Sequence, residues 1–434
     1  MSNLPEIFDE INGFIKTSKT KPGIYFTKPR AFTRDRKLSL ENICHFMLSS
    51  GNCSLDIELC DYFKNIGKET VTKSAFSKAR YKINNVFFED FNRHTVSTIY
   101  KAKTGLKKWN NFTLKGIDGS TLYLVKDELI EKEFGTQDNQ FCSVPMARLG
   151  FEIDLLNGYC TQATIQHYEK GENVFANAFL ENSAPTDLLL YDRNFASFEL
   201  AYKHIRRGVN FVIRIKNGWT TATKEFVESG KTEATIKMKI TAGALKALAG
   251  IGQEVDKDSC ITVRLLRIDI GKDEPEILMT SLLDKKKYPH ECFKTLYNYR
   301  WGCETAIDKF KNKFQLASFS GHLPQAIYQD FYMKTIMANL HQLLVNDCKK
   351  EIEAINETSE VKKAINNNVT IGVLRKRTPK LFNKKTCVVL VAELKKIFIS
   401  KIEPVRPGRS FPRVFNKRRP NSKYCTLKNY RRAA

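Results

Sequence analysis

Several features common in other protein classes are missing from this 434-residue sequence. Its eleven cysteines include no Cys-x-x-Cys pair and its seven histidines are well spread, which excludes the ligand spacing of a zinc site. We therefore expect reduced thiols in the core. The longest tight apolar run, Cys387–Ala392, is far shorter than the ~20 residues of a membrane-spanning helix. The acidic N-terminal segment does not resemble a signal peptide, and no internal repeats are present.

Acidic residues are scarce relative to basic ones. Lys plus Arg number 71 against 47 Asp plus Glu, which gives a formal net charge of +24. Such an excess favours a polyanionic partner, most often nucleic acid. Hydrophobic residues at 42% and aromatic residues at 11% allow a large buried core and exclude wholesale disorder. At ~150 residues per domain, the length predicts roughly three domains.

Residues 1–110 are predicted to form a helical DNA-binding domain. Eight Lys or Arg residues and one acid lie within residues 16–37. Two helical patterns follow, each behind a serine (Ser39 and Ser54) that can cap the first turn. A short basic helix is then predicted over Lys73–Ile83, which completes the outline of a helix-turn-helix. Its basic residues either contact DNA or form an ordinary solvated face; they are Lys73, Lys78, Arg80 and Lys82.

Residues 111–215 have a pattern typical of an α/β domain. Runs of strand type alternate with helical runs, and Asn157-Gly158 gives a strong hairpin signal. Together they predict a mixed sheet with helices packed on it. The predicted strands are Phe112–Ile117, Ala147–Leu156, Tyr159–His167, Asp187–Tyr191 and Val209–Ile215, and the predicted helices are Glu172–Leu180 and Phe198–Arg207.

Three further segments complete the predicted organisation. Residues 216–288 are expected to be a β-rich insertion, and residues 289–350 are expected to be helical and to return to the α/β core. Residues 351–434 are predicted to contain helices to about Ser400 and then a basic tail. From Lys401 the tail has eleven Lys or Arg residues and one acid, a net charge of +10. It is either a solvated disordered segment or an arm that contacts phosphates.

Three carboxylates are candidates for catalysis. Asp118 and Asp192 each follow a predicted strand, where side chains distant in sequence converge in an α/β sheet. Glu304 lies on a predicted helix that extends to about Phe314. On that helix an arc of about 60° would contain Tyr297, Arg300, Glu304 and Lys311. A surface ladder of salt bridges would produce the same spacing. Three acids on a scaffold also suit two divalent cations that act on a phosphodiester.

The spacing Tyr-x2-Arg-x3-Glu-x6-Lys is complete here as Tyr297, Arg300, Glu304 and Lys311. In this respect the sequence resembles the IS-four group of bacterial insertion-sequence transposases. Asp118-Gly119-Ser120 and the segment from Asp192 to Phe195 are similar to the group's first and second acidic motifs, in the same order. The β-rich segment between the second Asp and the Glu also matches. The resemblance covers most of the chain to about residue 350.

This resemblance implies an RNase H-like catalytic core in which Asp118, Asp192 and Glu304 bind two Mg²⁺ ions, for which Mn²⁺ can substitute. It also implies that Tyr297, Arg300 and Lys311 contact DNA near the cleaved phosphate. The implied enzyme is a DDE transposase, acting as a dimer on double-stranded DNA at its terminal inverted repeats and at target DNA. The implied location is the bacterial cytoplasm, in association with the nucleoid.

One departure concerns the hairpin step of some relatives, which stack a flipped base on a Trp shortly before the signature helix. Residues 250–300 contain no Trp, and we expect Trp219, early in the β-rich segment, to be a core residue. Other acids near the candidate site, namely Glu152, Asp154 and Asp308, are assigned to solvent-facing or salt-bridge positions. Two alternative functions remain: a nuclease on the same core without strand transfer, and a non-cleaving protein that binds element ends.

Overall fold

The computed structural model describes residues 4–51, 53–103, 105–138, 142–250, 255–269 and 275–405. The basic tail predicted from Lys401 therefore lies outside the described residues beyond position 405. The ten cysteines within the described ranges form no disulfide with one another, and five of them are buried; Cys60 and Cys260 are exposed, which differs from the expected core positions. Within the same ranges, no helix has the length and apolar character needed to cross a membrane.

The N-terminal region is helical, as predicted. Ser39 caps its third helix by accepting a hydrogen bond from the Asn42 N–H, and Thr72 caps the fifth by accepting one from the Ala75 N–H. Ser54 accepts no such bond at the start of the fourth helix. The six helices are α1 (Leu4–Thr17), α2 (Pro22–Tyr25), α3 (Leu40–Ser49), α4 (Leu55–Asn65), α5 (Lys73–Arg80) and α6 (Asn85–Ala102).

The centre of the molecule is a nine-stranded mixed sheet, which confirms the predicted α/β class. Its order is β2-β3-β1-β5-β6-β9-β8-β7, with β4 paired to β3. Strands β1, β5 and β6 run parallel, and the other pairings are antiparallel. The strands are β1 (Thr113–Tyr123), β2 (Thr136–Asp138), β3 (Ser143–Asp154), β4 (Cys160–His167), β5 (Asp187–Tyr191), β6 (Asn210–Ile215), β7 (Glu233–Lys239), β8 (Cys260–Ile268) and β9 (Glu276–Thr280).

The segment predicted as a β-rich insertion extends this sheet. Strand β9 pairs with β6 in the register Val212↔Thr280 to Ile215↔Ile277, and β8 and β7 continue outward from it. The segment also contains two helices, α10 (Thr221–Glu228) and α11 (Ala242–Ala249), that the sequence analysis did not predict. The three described strands of this segment are therefore continuous with the central sheet through main-chain hydrogen bonds.

Helices cover both faces of the sheet because its central strands are apolar on both sides. On one face Ile117, Leu189 and Phe211 pack with Phe175 of α8. On the opposite face Leu114, Leu188 and Val212 pack with Phe293 and Leu296 of α12. The helices of this part are α7 (Glu128–Phe134), α8 (Glu172–Glu181), α9 (Phe198–Arg207), α10 (Thr221–Glu228), α11 (Ala242–Ala249), α12 (Cys292–Asn298) and α13 (Trp301–Asp308).

A long buried helix joins the sheet to the terminal helices. Helix α14 (Pro324–Asp347) is buried nearly all round and packs against α6, α3 and β4. The C-terminal elements are α15 (Lys349–Glu357), β10 (Lys363–Ile365), α16 (Asn367–Leu381), α17 (Lys384–Ser400) and β11 (Ile402–Pro404), with β10 and β11 paired. Helix α16 packs on α3, so the two ends of the chain share one core.

Candidate active site

Asp118 and Asp192 occupy corresponding positions on neighbouring strands. The parallel pairing of β1 with β5 ends at Ile117↔Tyr191, so each Asp is the next residue after the last pair. Strand β5 stops there, whereas β1 continues to Tyr123 against β3. Asp118 therefore lies within a strand and not at its end, contrary to the prediction. It is nevertheless at the end of the parallel pairing, where the edge of β1 opens.

The segment that contains the third carboxylate is not one regular helix. Helix α12 ends at Asn298, α13 begins at Trp301, and a π-helical turn follows over Lys309–Lys313. Since a π turn takes in more residues than an α turn, the predicted 60° arc through Lys311 does not hold. Lys311 lies in the π-helical turn, half-buried, and burial lowers the pKa of its ammonium.

A glycine in β1 allows α13 to approach the sheet. A Cβ atom at Gly116 would overlap Sγ of Cys303, the residue before Glu304. Gly116 and Asp118 point to the same face of the strand because side chains alternate. The close packing of Cys303 on Gly116 thus places Glu304 beside Asp118.

Arg300 lies between the carboxylates. Its Nη2 donates to Oε1 of Glu304 at 3.0 Å, and its Nη1 is 3.8 Å from Oδ2 of Asp118. The side chain is 7% exposed, and its Nε has no hydrogen-bond partner in the described part of the chain. Burial alone would lower the pKa of Arg300, but Tyr297, Glu304, Asp192 and Asp118 outweigh it and raise that pKa. A single buried guanidinium therefore faces all three candidate acids.

Asp192 is held at the same end of the sheet by other partners. Nη1 of Arg214, on β6, is 3.9 Å from Oδ1 of Asp192 and 2.8 Å from Oε1 of Glu276. The Tyr297 hydroxyl donates to the main-chain carbonyl of Tyr191, directly before Asp192. Tyr297 is buried, and burial, with a smaller contribution from the Asp192 charge, raises its pKa. Its position favours holding the end of β5 over the DNA contact that the resemblance implies.

The electrostatics of the site show an excess of negative charge. Burial raises the pKa of Asp118 to about 6, against the opposing effects of the Gly119 N–H and of Arg300. The charges of Glu172 and Glu304 raise it further. The raised pKa therefore comes mainly from burial, and the neighbouring carboxylates add a smaller part.

The donor set suits a hard divalent cation. Carboxylate oxygens are the ligands that Mg²⁺ and Mn²⁺ prefer. Asp118 and Glu304 lie on either side of Arg300, and Asp192 follows the neighbouring strand. As the described residues stand, no three Asp, Glu, His or Cys side chains close around a single point. Arg300 occupies the space between two of the acids. In type and charge, the residues fit the metal pair that the resemblance implies.

The predicted basic helix is correct in part. Lys78 is exposed on α5, Lys82 is half-exposed after it, and Lys73 is exposed beside Asp56 at 3.3 Å. Arg80 is 1% exposed and donates to Oε1 of Gln329 and Oδ1 of Asp330 on α14. The expected DNA contact by Arg80 is therefore wrong for this structure, because that side chain attaches α5 to the buried helix.

The competing acids have partners outside the candidate site, and two of them are more buried than expected. Glu152 is fully buried and 3.0 Å from Nζ of Lys115. Asp154 is also buried and accepts from the Tyr100 hydroxyl at 2.5 Å. Asp308 is exposed and accepts from Asn312 in place of the expected Lys311. Glu152 and Asp154 are therefore not at the solvent-facing positions expected on the hairpin strand.

A cavity of about 590 Å³ opens beside Asp192. Trp219 is partly buried against the apolar cluster, as expected, and also lines this cavity. Three basic side chains from separate parts of the chain lie on the wall of this cavity. The sequence analysis did not select them, because each is an isolated cation in its own segment. They are Arg148, Arg193 and Lys216. Glu172 also lines the cavity. The sequence analysis missed it because an acidic residue in the first turn of a helix is explained by its favourable interaction with the helix dipole.

Comparison with known proteins identifies relatives of this chain. A family model described as transposase DDE domain matches residues 117–340. Transposase InsG for insertion sequence element IS4, from Escherichia coli (strain K12), is 23% identical over 276 residues. That match covers 62% of this chain and spans 60% of the length of the relative. Among solved structures, the cryo-EM structure of the piggyBac transposase synaptic complex with hairpin DNA aligns with a TM-score of 0.46 and 11% identity, over 94% of this chain and 86% of that chain.

Proposed function

The chain belongs to the family of the transposase DDE domain, and we propose that it cuts and joins DNA at the ends of its own insertion sequence. One observation supports this most strongly. Asp118 and Asp192 follow the last residue pair of two parallel strands, and Arg300 contacts Asp118 and Glu304 within the matched residues 117–340. The strands in the order β4-β3-β1-β5-β6, with helices on both faces, support an RNase H-like core.

We propose that Asp118, Asp192 and Glu304 hold the divalent cations. When bound, two Mg²⁺ ions, or Mn²⁺ in their place, would activate the attacking oxygen and stabilise the leaving oxygen of the phosphodiester. Without a cation the three acids would repel the DNA backbone. Arg300 contributes a buried guanidinium whose unpartnered Nε can donate to a phosphate oxygen. Tyr297 acts as a positioning residue through the carbonyl of Tyr191.

The DNA is proposed to extend from this site onto basic surfaces. Lys78, Lys73 and Lys82 on or next to α5 are available for contacts with terminal inverted repeats, and Lys311 for contacts near the cut. The cavity beside Asp192, with its three basic side chains, suits the strand that leaves the site. A homodimer is proposed for the active complex, since two element ends must be held together, and association with the nucleoid follows from the DNA binding.

Cleavage of a labelled duplex that contains the element end tests the proposal. We expect wild-type protein to produce 3′-OH ends in Mg²⁺ and none in EDTA, and Glu304→Gln to lose at least about 10³-fold in rate, since each metal ligand supports several kcal/mol of transition-state stabilisation. Asp308→Asn is the matched control, because it removes one exposed carboxylate from the same helix. DNA binding by Glu304→Gln should stay near that of wild type.

The two alternative functions give different results in the same assay. Joining of the released 3′-OH ends to a plasmid separates a transposase from a nuclease that only cleaves. Binding without cleavage in any metal would identify a DNA-binding remnant and contradict the proposal. Equal cleavage rates for Glu304→Gln and wild type would show that Glu304 does not hold a cation needed for cleavage.

A further inference from the structure

Glycines allow helices to approach strand β1 from both of its faces. Gly116 faces α13, where Cys303 packs against it and Glu304 follows. Gly119 faces the opposite side and pairs with Gly150 of β3. A Cβ atom at Gly150 would overlap the Phe175 ring of α8. Two opposed glycines therefore make a hollow in the sheet into which α8 packs.

The hollow brings a fourth carboxylate next to Asp118. Glu172 is the first residue of α8, and a Cβ atom at Gly119 would overlap its carboxylate oxygen Oε1. Gly119 directly follows Asp118, and its N–H donates to the Asp118 carboxylate at 2.8 Å. Glu172 thus reaches the open edge of β1 from one face of the sheet while Glu304 reaches it from the other.

The partners of Glu172 leave its carboxylate available. Its ion pair is with Nη1 of Arg148 at 3.6 Å, longer than a hydrogen bond, and its side chain is one-quarter exposed to the cavity beside Asp192. The Glu172 carboxylate lies against Gly119, next to Asp118, and Glu172 lines the same cavity as Arg193, the residue after Asp192.

We propose that Glu172 is a fourth carboxylate of the cation site, coordinating a divalent ion directly or through its bound water. The inference rests on the proposed function, because it requires that Asp118, Asp192 and Glu304 bind the ions. The alternative is a structural role, in which Glu172 only stabilises the N-terminus of α8 and pairs with Arg148.

Binding of Mn²⁺ to the full chain without DNA distinguishes these roles. Free Mn²⁺ is measured by electron paramagnetic resonance during a titration of wild type, Glu172→Gln, Glu172→Asp and Asp118→Asn. We expect Glu172→Gln to weaken Mn²⁺ binding by about tenfold and Glu172→Asp to restore part of the loss. Glu181→Gln is the matched control, since it removes a carboxylate from the far end of the same helix. Thermal unfolding in EDTA checks that the variants are folded.

A second measurement uses the wild-type protein, so it does not depend on a variant that folds. Fe²⁺ bound in place of Mn²⁺ generates hydroxyl radicals with ascorbate and peroxide, and these cut the nearby backbone. Cuts are expected around residue 172 as well as around residues 118 and 192. If Glu172→Gln binds Mn²⁺ as tightly as wild type while Asp118→Asn loses binding, the proposed role of Glu172 is overturned and the proposed cation site is not. Unchanged binding in Asp118→Asn would instead overturn the proposed cation site.

Discussion

Strand β1 contains two ion clusters, three residues apart and on opposite faces of the sheet. In the first, Nζ of Lys115 is 3.0 Å from Glu152 and 2.9 Å from Asp187, and the three side chains are at most 10% exposed. In the second, Arg300 is 3.0 Å from Glu304 but 3.8 Å from Asp118, and the two carboxylates are 31% and 22% exposed.

The difference between the clusters separates a structural site from a functional one. In the Lys115 cluster one ammonium lies within hydrogen-bond distance of both acids, and burial fixes the geometry. In the Asp118 cluster the ion pair is looser, the pKa of Asp118 is raised to about 6, and Nε of Arg300 has no acceptor. Such an arrangement is less stable by itself and is expected where the protein binds a ligand. Substitutions in the two clusters should therefore change stability in opposite directions.

The largest effect is expected from Lys115→Met. Removing the ammonium leaves two carboxylates buried without a counter-charge, which typically costs about 3–5 kcal/mol of unfolding free energy. Urea unfolding measures this loss. Lys132→Met on the exposed surface of α7 is the control and should change stability by less than about 0.5 kcal/mol. A loss below about 1 kcal/mol for Lys115→Met would show that this cluster is not structural.

A smaller effect of opposite sign is expected from Asp118→Asn in EDTA. The pKa of Asp118 is raised from 3.8 to about 6 in the folded protein, so its charge destabilises the fold above pH 6. Removing that charge should stabilise the protein by about 1–3 kcal/mol at pH 7.5, allowing for its partial exposure. The gain should shrink as the pH falls from 6 towards 3.8 and disappear below about pH 3, where the wild-type carboxyl is protonated in both the folded and the unfolded state.

The same variant sharpens the comparison when a metal is added. Mg²⁺ should raise the Tm of wild type, because it binds the folded state, and should have little effect on Asp118→Asn. Asp308→Asn should respond to Mg²⁺ as wild type does. A lower Tm for Asp118→Asn in EDTA at pH 7.5 would mean that both clusters on β1 are structural.

Local sequence patterns predicted much of the fold, whereas features that depend on contacts between residues far apart in the sequence were not predicted. Strand β5 and helix α9 have the predicted bounds, since each is a short periodic run with a clear start and stop. Strand β1 was expected to end before Asp118-Gly119-Ser120, but its pairing with β3 carries it on to Tyr123. That pairing depends on residues about thirty positions away, which no local signal reveals.

The candidate site shows the same division. Asp118, Asp192 and Glu304 were found from their motifs, and the structure brings Asp118, Arg300 and Glu304 together. Glu172 was missed because its proximity to Asp118 comes from two glycines opposed across β1 and β3. Arg80 was misassigned because its partner Asp330 lies 250 residues later in the chain. In both cases the deciding contact is tertiary.

The smallest effect is expected on DNA binding by Lys78→Ala, on helix α5, where an exposed and a buried cation lie two residues apart. Lys78→Ala should lower the salt dependence of DNA binding by about one unit of slope, because one phosphate contact is lost, without changing stability. Arg80→Met should lower stability, because Asp330 loses its ion pair, and should leave the salt slope of the folded fraction unchanged. Filter binding at several salt concentrations, with urea unfolding of both variants, measures the two effects. An unchanged slope for Lys78→Ala would place the DNA away from α5, while an altered slope for Arg80→Met would mean that α5 must open to bind it.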